Sequence, residues 1–159
     1  MKNGMFALLA FLFVCLVAFI APGKAQHVHG TGAKHEGMKM ETREVLVEGM
    51  KIIFTFMANH EHKKMLEEMK MREKPEPGTT HNISVTIKDK KGQDVTDAQV
   101  SMKVIDPQGK DQIKSLKYED RMKSFDAYFN LGGKGKYQIL VLIKTGDQKR
   151  SAGIYYEVK

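Results

Sequence analysis

His81-Asn82-Ile83-Ser84-Val85-Thr86-Ile87-Lys88-Asp89 puts Ile83, Val85 and Ile87 on one parity and Asn82, Ser84, Thr86 and Lys88 on the other. Successive strand side chains point to opposite faces, so the run reads as a β-strand with one face in a core and one in water. Lys90-Lys91-Gly92-Gln93-Asp94 breaks it. Alternation resumes with Ala98, Val100, Met102 and Val104 inward, until Asp106-Pro107-Gln108-Gly109, a turn in which Pro fixes φ and Gly tolerates positive φ. Further on, Ile113 to Leu116 reads as a weaker edge strand, and Phe125, Ala127, Phe129 and Leu131 alternate with polar residues. Beyond Gly132-Gly133-Lys134-Gly135, Tyr137 to Ile143 is apolar on both parities, which marks a central strand. Thr145-Gly146-Asp147-Gln148 turns into a last strand, Ile154 to Val158. Upstream lie Val45 to Val47 and Met50 to Met57, where Met50, Ile52, Phe54 and Phe56 share one parity. Seven or eight short strands spaced by about 10 residues predict an all-β antiparallel sandwich. No fixed-period repeat is visible, which argues against a propeller or solenoid.

One segment departs from this pattern. His60-Glu61-His62-Lys63-Lys64-Met65-Leu66-Glu67-Glu68-Met69-Lys70-Met71 is built of good helix formers, and Pro75, Pro77 and Gly78 stop it. A short helical insertion over residues 60–73 is expected between two early strands. Helices below ~12 residues do not offset their own nucleation cost, so packing or a metal must hold it.

Of the 159 residues, 42% are apolar and 28% charged, enough for one domain with one core. The chain starts with Lys2, an uncharged apolar run from Met5 to Ala21, and Pro22-Gly23-Lys24-Ala25. That layout predicts a signal peptide over residues 1–25, with an uncleaved membrane anchor as the alternative because the run is at the short end of a bilayer span. A His- and Met-containing leader without strand or helix period follows over residues 26–42, and the sandwich occupies 43–159. The single cysteine, Cys15, lies in the apolar run, so the mature chain has neither disulfide nor thiolate ligand. Loss of Lys2 and Lys24 reduces the formal charge from +7 to +5. The lysines are dispersed and lack aromatic interleaving, so no nucleic-acid partner is expected. The mature chain is expected not to span a membrane and to be periplasmic or otherwise exported.

Without Cys, Gly-x-Ser-x-Gly, His-Glu-x-x-His or a phosphate-cradling loop, the mature chain offers no equipment for covalent or hydrolytic catalysis, and no enzyme is expected. What it does concentrate is imidazole and thioether. Five of the six histidines and seven methionines from Met38 to Met71 precede residue 72. This donor set suits Cu(I), with imidazole also serving Cu(II). At about 100° per residue, His62, Met65 and Met69 share one helical stripe and could hold Cu(I) trigonally. His60 and Met71 sit close in sequence, and His81 could approach from the following strand. Leu66 lies on the same stripe, so the competing reading is an apolar helix face docked on the sandwich, with Met filling gaps. Met102 reads as core, and Met50 and Met57 as strand packing. His27 and His29 form a second candidate site: a new amine with a His in third position chelates Cu(II) or Ni(II) in a square plane, which here needs cleavage after Gln26.

Val85-Thr86-Ile87-Lys88-Asp89, Gly92, Asp97-Ala98-Gln99-Val100 and Gly135-Lys136-Tyr137-Gln138-Ile139 resemble the YtkA-like family of exported immunoglobulin-like β-sandwich domains. The resemblance spans roughly residues 81 to 144. It implies an immunoglobulin-like topology and, through similar CopC-type copper carriers and FixH-type proteins, periplasmic metal handling with a membrane or periplasmic protein as partner. For residues it implies no more than His60, His62, Met65, Met69, Met71 and His81. A CopC-type carrier begins its mature chain with a ligand His, which this chain does only after cleavage at Gln26. The expected function is copper carriage or buffering, with another divalent metal as a variant. The rival is a structural or adhesive envelope module acting through protein contacts.

Overall fold

The computed structural model describes residues 38–159; residues 1–25, where a signal peptide is expected, and His27 and His29 lie outside the described residues. Eight strands run in chain order β1 (Met40–Val47), β2 (Met50–Ala58), β3 (His81–Lys88), β4 (Gln99–Ile105), β5 (Asp111–Glu119), β6 (Ser124–Phe129), β7 (Gly135–Thr145) and β8 (Gln148–Val158). The one helix among the described residues, α1 (Asn59–Glu68), lies between β2 and β3. Spatially the order is β1-β2-β3-β6-β5-β4-β7-β8, with every pair antiparallel.

β5 is the corner at which this ribbon folds into two layers. Its first part, Asp111 to Leu116, pairs with β4, whereas Lys117 to Glu119 pair with β6. One sheet is therefore β1-β2-β3-β6 and the end of β5; the other is the start of β5 with β4, β7 and β8. Setting β1 aside, this is the two-layer connectivity of immunoglobulin-like sandwiches, to which β1 adds a hairpin strand at the edge. At the corner between β6 and β7, the buried Tyr137 hydroxyl accepts from Gly133 N–H (3.0 Å) and donates to Gly133 C=O (2.9 Å). A tyrosine at this corner bonding back to nearby backbone is itself a mark of the fold. Gly135 opens β7 at φ 126°, where a Cβ would meet Pro107 at 2.7 Å, so only glycine fits there without strain.

The core forms between the inner faces. Ile52, Phe54 and Phe56 of β2 meet Ile83, Val85 and Ile87 of β3 and Phe125 and Phe129 of β6, packed against Val100, Met102 and Val104 of β4 and Tyr137, Ile139, Val141 and Ile143 of β7. The expected parities of these strands are borne out, as are Met102 as a core residue and Met50 and Met57 as buried strand residues. Two turns are fixed by carboxylates: Asp89 Oδ1 accepts from Lys91 and Gln93 N–H, and Asp106 Oδ1 from Gln108 and Lys110 N–H. The open edge is tied shut where Arg43 Nη1 donates to the Tyr155 carbonyl (2.5 Å) and Arg150 pairs with Glu48 (3.0 Å).

Some boundaries moved. β1 begins at Met40, inside the stretch assigned to the leader, because Met40 to Thr42 pair with Met57 to Thr55. β5 is longer than the expected edge strand since it serves both sheets. The helix stops at Glu68, not residue 73: Lys70 turns left-handed (φ 55°), Met71 N–H bonds to Leu66 C=O (2.8 Å) and Lys70 N–H to Glu67 C=O (3.0 Å), a Schellman stop that leaves Met71 beyond the helix.

Candidate functional site

On β3 and β6 the even-numbered residues face away from the core, so Asn82, Ser84, Asp126 and Tyr128 share the outer face of the first sheet. The register lines up Met40, Met57, Asn82 and Tyr128 across β1, β2, β3 and β6. Helix α1 lies on this row. His62 and Leu66 are each 1% exposed, and beneath them Met57 and Asn82 are buried too, although neither Met57 nor Leu66 belongs to the main core. The helix thus seals a small second cluster, while Met65 and Met69 are half-buried.

Both ends of α1 are anchored. Asn59 N–H donates to the Thr80 carbonyl (2.8 Å) and its side-chain amide to the Thr79 carbonyl (3.0 Å). At the far end Arg121 Nη2 donates to the Met69 carbonyl (2.6 Å).

His62 is the centre of the cluster. Its Nδ1 is 2.9 Å from the Tyr128 hydroxyl, with the rings tilted at 56° and centroids 5.4 Å apart. Its Nε2 is buried and has no hydrogen-bond partner among the described residues. Burial pulls the imidazole down to about 4, so the ring is neutral at physiological pH. A buried ring nitrogen left without a partner, as donor or as acceptor, costs about 1–3 kcal/mol, and a neutral imidazole presents one N–H and one lone pair. Beside it, Asn82 Nδ2 donates to Asp126 Oδ2 (2.6 Å). Burial pushes the Asp126 carboxyl up to about 6 against that hydrogen bond, and the charges of Glu73 and Glu119 add to the rise. Burial also raises the Tyr128 phenol, with Asp126 and Glu73 adding to it.

These two shifts act on stability with opposite signs. From pH 6.5 down to about 4 the unfolded chain protonates His62 while the folded chain does not, so acid lowers stability. Below pH 6 the folded chain protonates Asp126 before the unfolded chain does, so acid raises it. Each slope is at most ~1.4 kcal/mol per pH unit, and the two oppose one another between about pH 4 and 6. Asp126→Asn should therefore expose the His62 slope: its urea midpoint should fall from pH 6.5 to 4.5 more steeply than that of the wild type. Parallel curves would show that the two groups do not titrate as described.

The six candidate ligands do not all lie together. His62 is buried on the helix over the outer face, while Met65 on the same helix and Met69 at its C-cap are half-buried. His81 has the parity of Ile83 and pairs with the core residue Phe129, which places it on the opposite face of the same sheet. There its Nδ1 is 2.9 Å from Thr80 Oγ1, and its ring meets Tyr156 edge-on at 6.2 Å. Burial lowers the His81 imidazole, and the neighbouring charge of His60 lowers it further. The His60 side chain is 78% exposed, with Nε2 3.4 Å from Glu61 Oε1. Met71 is half-buried just past the helix stop. Among the described residues no three His, Cys, Asp or Glu side chains come together as a metal site. Sequence reading did not find Tyr128, Asn82 and Asp126 as its surroundings. Their outward parity was legible, but water was the default reading until the helix was seen to cover them.

Within its described part the chain is an immunoglobulin-like β-sandwich with a short helix over one outer face, beneath which His62 and Leu66 are buried. No protein-family model and no curated protein matches it. Among solved structures it is similar to "as isolated" FetP of uropathogenic Escherichia coli strain F11, expressed in the periplasm of its host. The TM-score is 0.58 at 10% identity, over 77% of this chain and 97% of that one. A copper-bound Glu-to-Gln variant of the same FetP gives a TM-score of 0.58 at 10% identity, over 75% and 97%. At that identity the likeness is one of fold. It bears out the sandwich that the YtkA-like resemblance implied and does not support the YtkA-like label. No helix among the described residues is long and apolar enough to cross a membrane.

Proposed function

We propose that the chain is an exported copper-binding protein that carries or buffers the ion as Cu(I), through His62 with Met65 and Met69. The carrying observation is the buried His62 Nε2, without a hydrogen-bond partner among the described residues, on a helix stripe flanked by two half-buried thioethers. An imidazole and two thioethers form a soft, neutral ligand set suited to Cu(I) and poor for hard divalent ions. The cover over the site is short and peripheral, which suits a carrier that must release its cargo. Similarity of fold to FetP, of which one variant is known with copper bound, gives the reading further support, and the apolar N-terminal run supports export to the periplasm.

A ligand that binds only the folded protein stabilises it, by about 2.7 kcal/mol at a hundredfold excess over Kd. Thermal unfolding of the chain from Gln26 under anaerobic reducing conditions should shift upward with Cu(I). The shift should vanish in Met65→Leu/Met69→Leu, which keeps the apolar volume. Equal shifts in both proteins would remove Met65 and Met69 from the site.

A second reading, a module acting by protein contact, is favoured by a different surface. On the outer face of the other sheet Ile113 (66%), Tyr155 (51%) and Leu142 (44%) stand exposed, beside a groove of about 440 Å³ lined by Ser101, Ser115 and Leu142. Copper should leave that surface unaffected.

A further inference from the structure

We infer that Tyr128 is a positioning residue for metal capture, holding His62 in the Nδ1–H tautomer so that the Nε2 lone pair faces the cluster. The inference rests on the copper reading above. Two neutral arrangements fit the 2.9 Å contact between His62 Nδ1 and the Tyr128 hydroxyl. If the hydroxyl donates, the proton of the imidazole must sit on Nε2, where it is sealed in without an acceptor among the described residues. If Nδ1–H donates to the phenol oxygen, the buried atom is a lone pair, and only that form can bind a metal without first moving a proton. Position supports this: Tyr128 projects from β6 in register with Asn82, so the sheet holds the oxygen while the helix carries the imidazole. A ligand His that donates its far ring N–H to a fixed acceptor is held in orientation and made more basic, and loss of that acceptor typically weakens metal binding 10- to 100-fold.

The test is Tyr128→Phe, which retains the ring packed on His62 and removes only the oxygen. In metal-free protein, ¹⁵N NMR of the imidazole should show His62 protonated on Nδ1 in the wild type and shifted toward Nε2–H in the variant. Cu(I) affinity should fall roughly 10- to 100-fold. A wild type protonated on Nε2, or a variant that binds Cu(I) as tightly as the wild type, overturns the inference. A wild type that takes no Cu(I) at all overturns the copper reading instead, and the tautomer measured without metal then still decides whether Tyr128 orients His62. Should Tyr128→Phe fail to fold, the wild-type tautomer alone decides, because Nε2–H there contradicts the assignment.

Discussion

Phe54→Ala should lower the free energy of unfolding by about 3–5 kcal/mol, the range for truncating a buried Phe that leaves a cavity. Phe54 is 0% exposed at the centre of β2, flanked across the sheet by Arg43 of β1 and Val85 of β3, and packed into the single core that joins both layers. The core into which it packs is rich in β-branched and aromatic residues on fixed strands, with little freedom to collapse into the space. Since the core is shared by both sheets, the whole transition should move, with the urea midpoint falling and the m-value unchanged. A loss below about 1 kcal/mol would mean that the two inner faces do not pack as described.

Leu66→Ala should act differently. Leu66 is 1% exposed but lies outside the main core, where it joins His62, Met57 and Asn82 under α1. It also accepts the N–H of Met71 in the helix stop. Truncation should remove about 2–5 kcal/mol from the docking of α1, and a helix of 10 residues does not persist undocked. The expected result is local: faster exchange of the Met71 amide, lower helical ellipticity, and a His62 titration that climbs from about 4 toward its ordinary 6.5 as burial is lost. The sandwich transition itself should change little. A His62 still titrating near 4 would show that something other than Leu66 seals the cluster.

The strand series was legible because a half-buried strand prints its period on the sequence. Ile83-Ser84-Val85-Thr86-Ile87 and Phe125-Asp126-Ala127-Tyr128-Phe129 are explicit in this respect. The sequence predicts a short β5 because its alternation is uneven: Ile113 is exposed and Leu116 buried, as a strand shared between two sheets requires. The helical stripe of His62, Met65 and Met69 was legible for a similar reason. The partition of the histidines was not, because parity shows that His81 points inward but says nothing of which face of the sheet an inserted helix will cover. Tyr128 illustrates the same limit. Its outward parity is in the sequence, but its contact with a residue 66 positions earlier follows only from the docking of α1. The sequence predicts too long a helix for a local reason: Lys70 adopts a left-handed conformation usually left to Gly or Asn, so the stop carries no sequence mark.

The central claim is that His62, Met65 and Met69 bind copper, and a Cu(I) competition titration tests it most directly. The chain from Gln26 is titrated against a chromogenic chelator under anaerobic reducing conditions, beside a variant carrying substitutions at His62, Met65 and Met69 whose fold is checked by circular dichroism. One tight equivalent in the wild type, absent from the variant, is the predicted result. Absence of competition by the wild type, or one tight equivalent retained by the folded variant, would contradict the assignment.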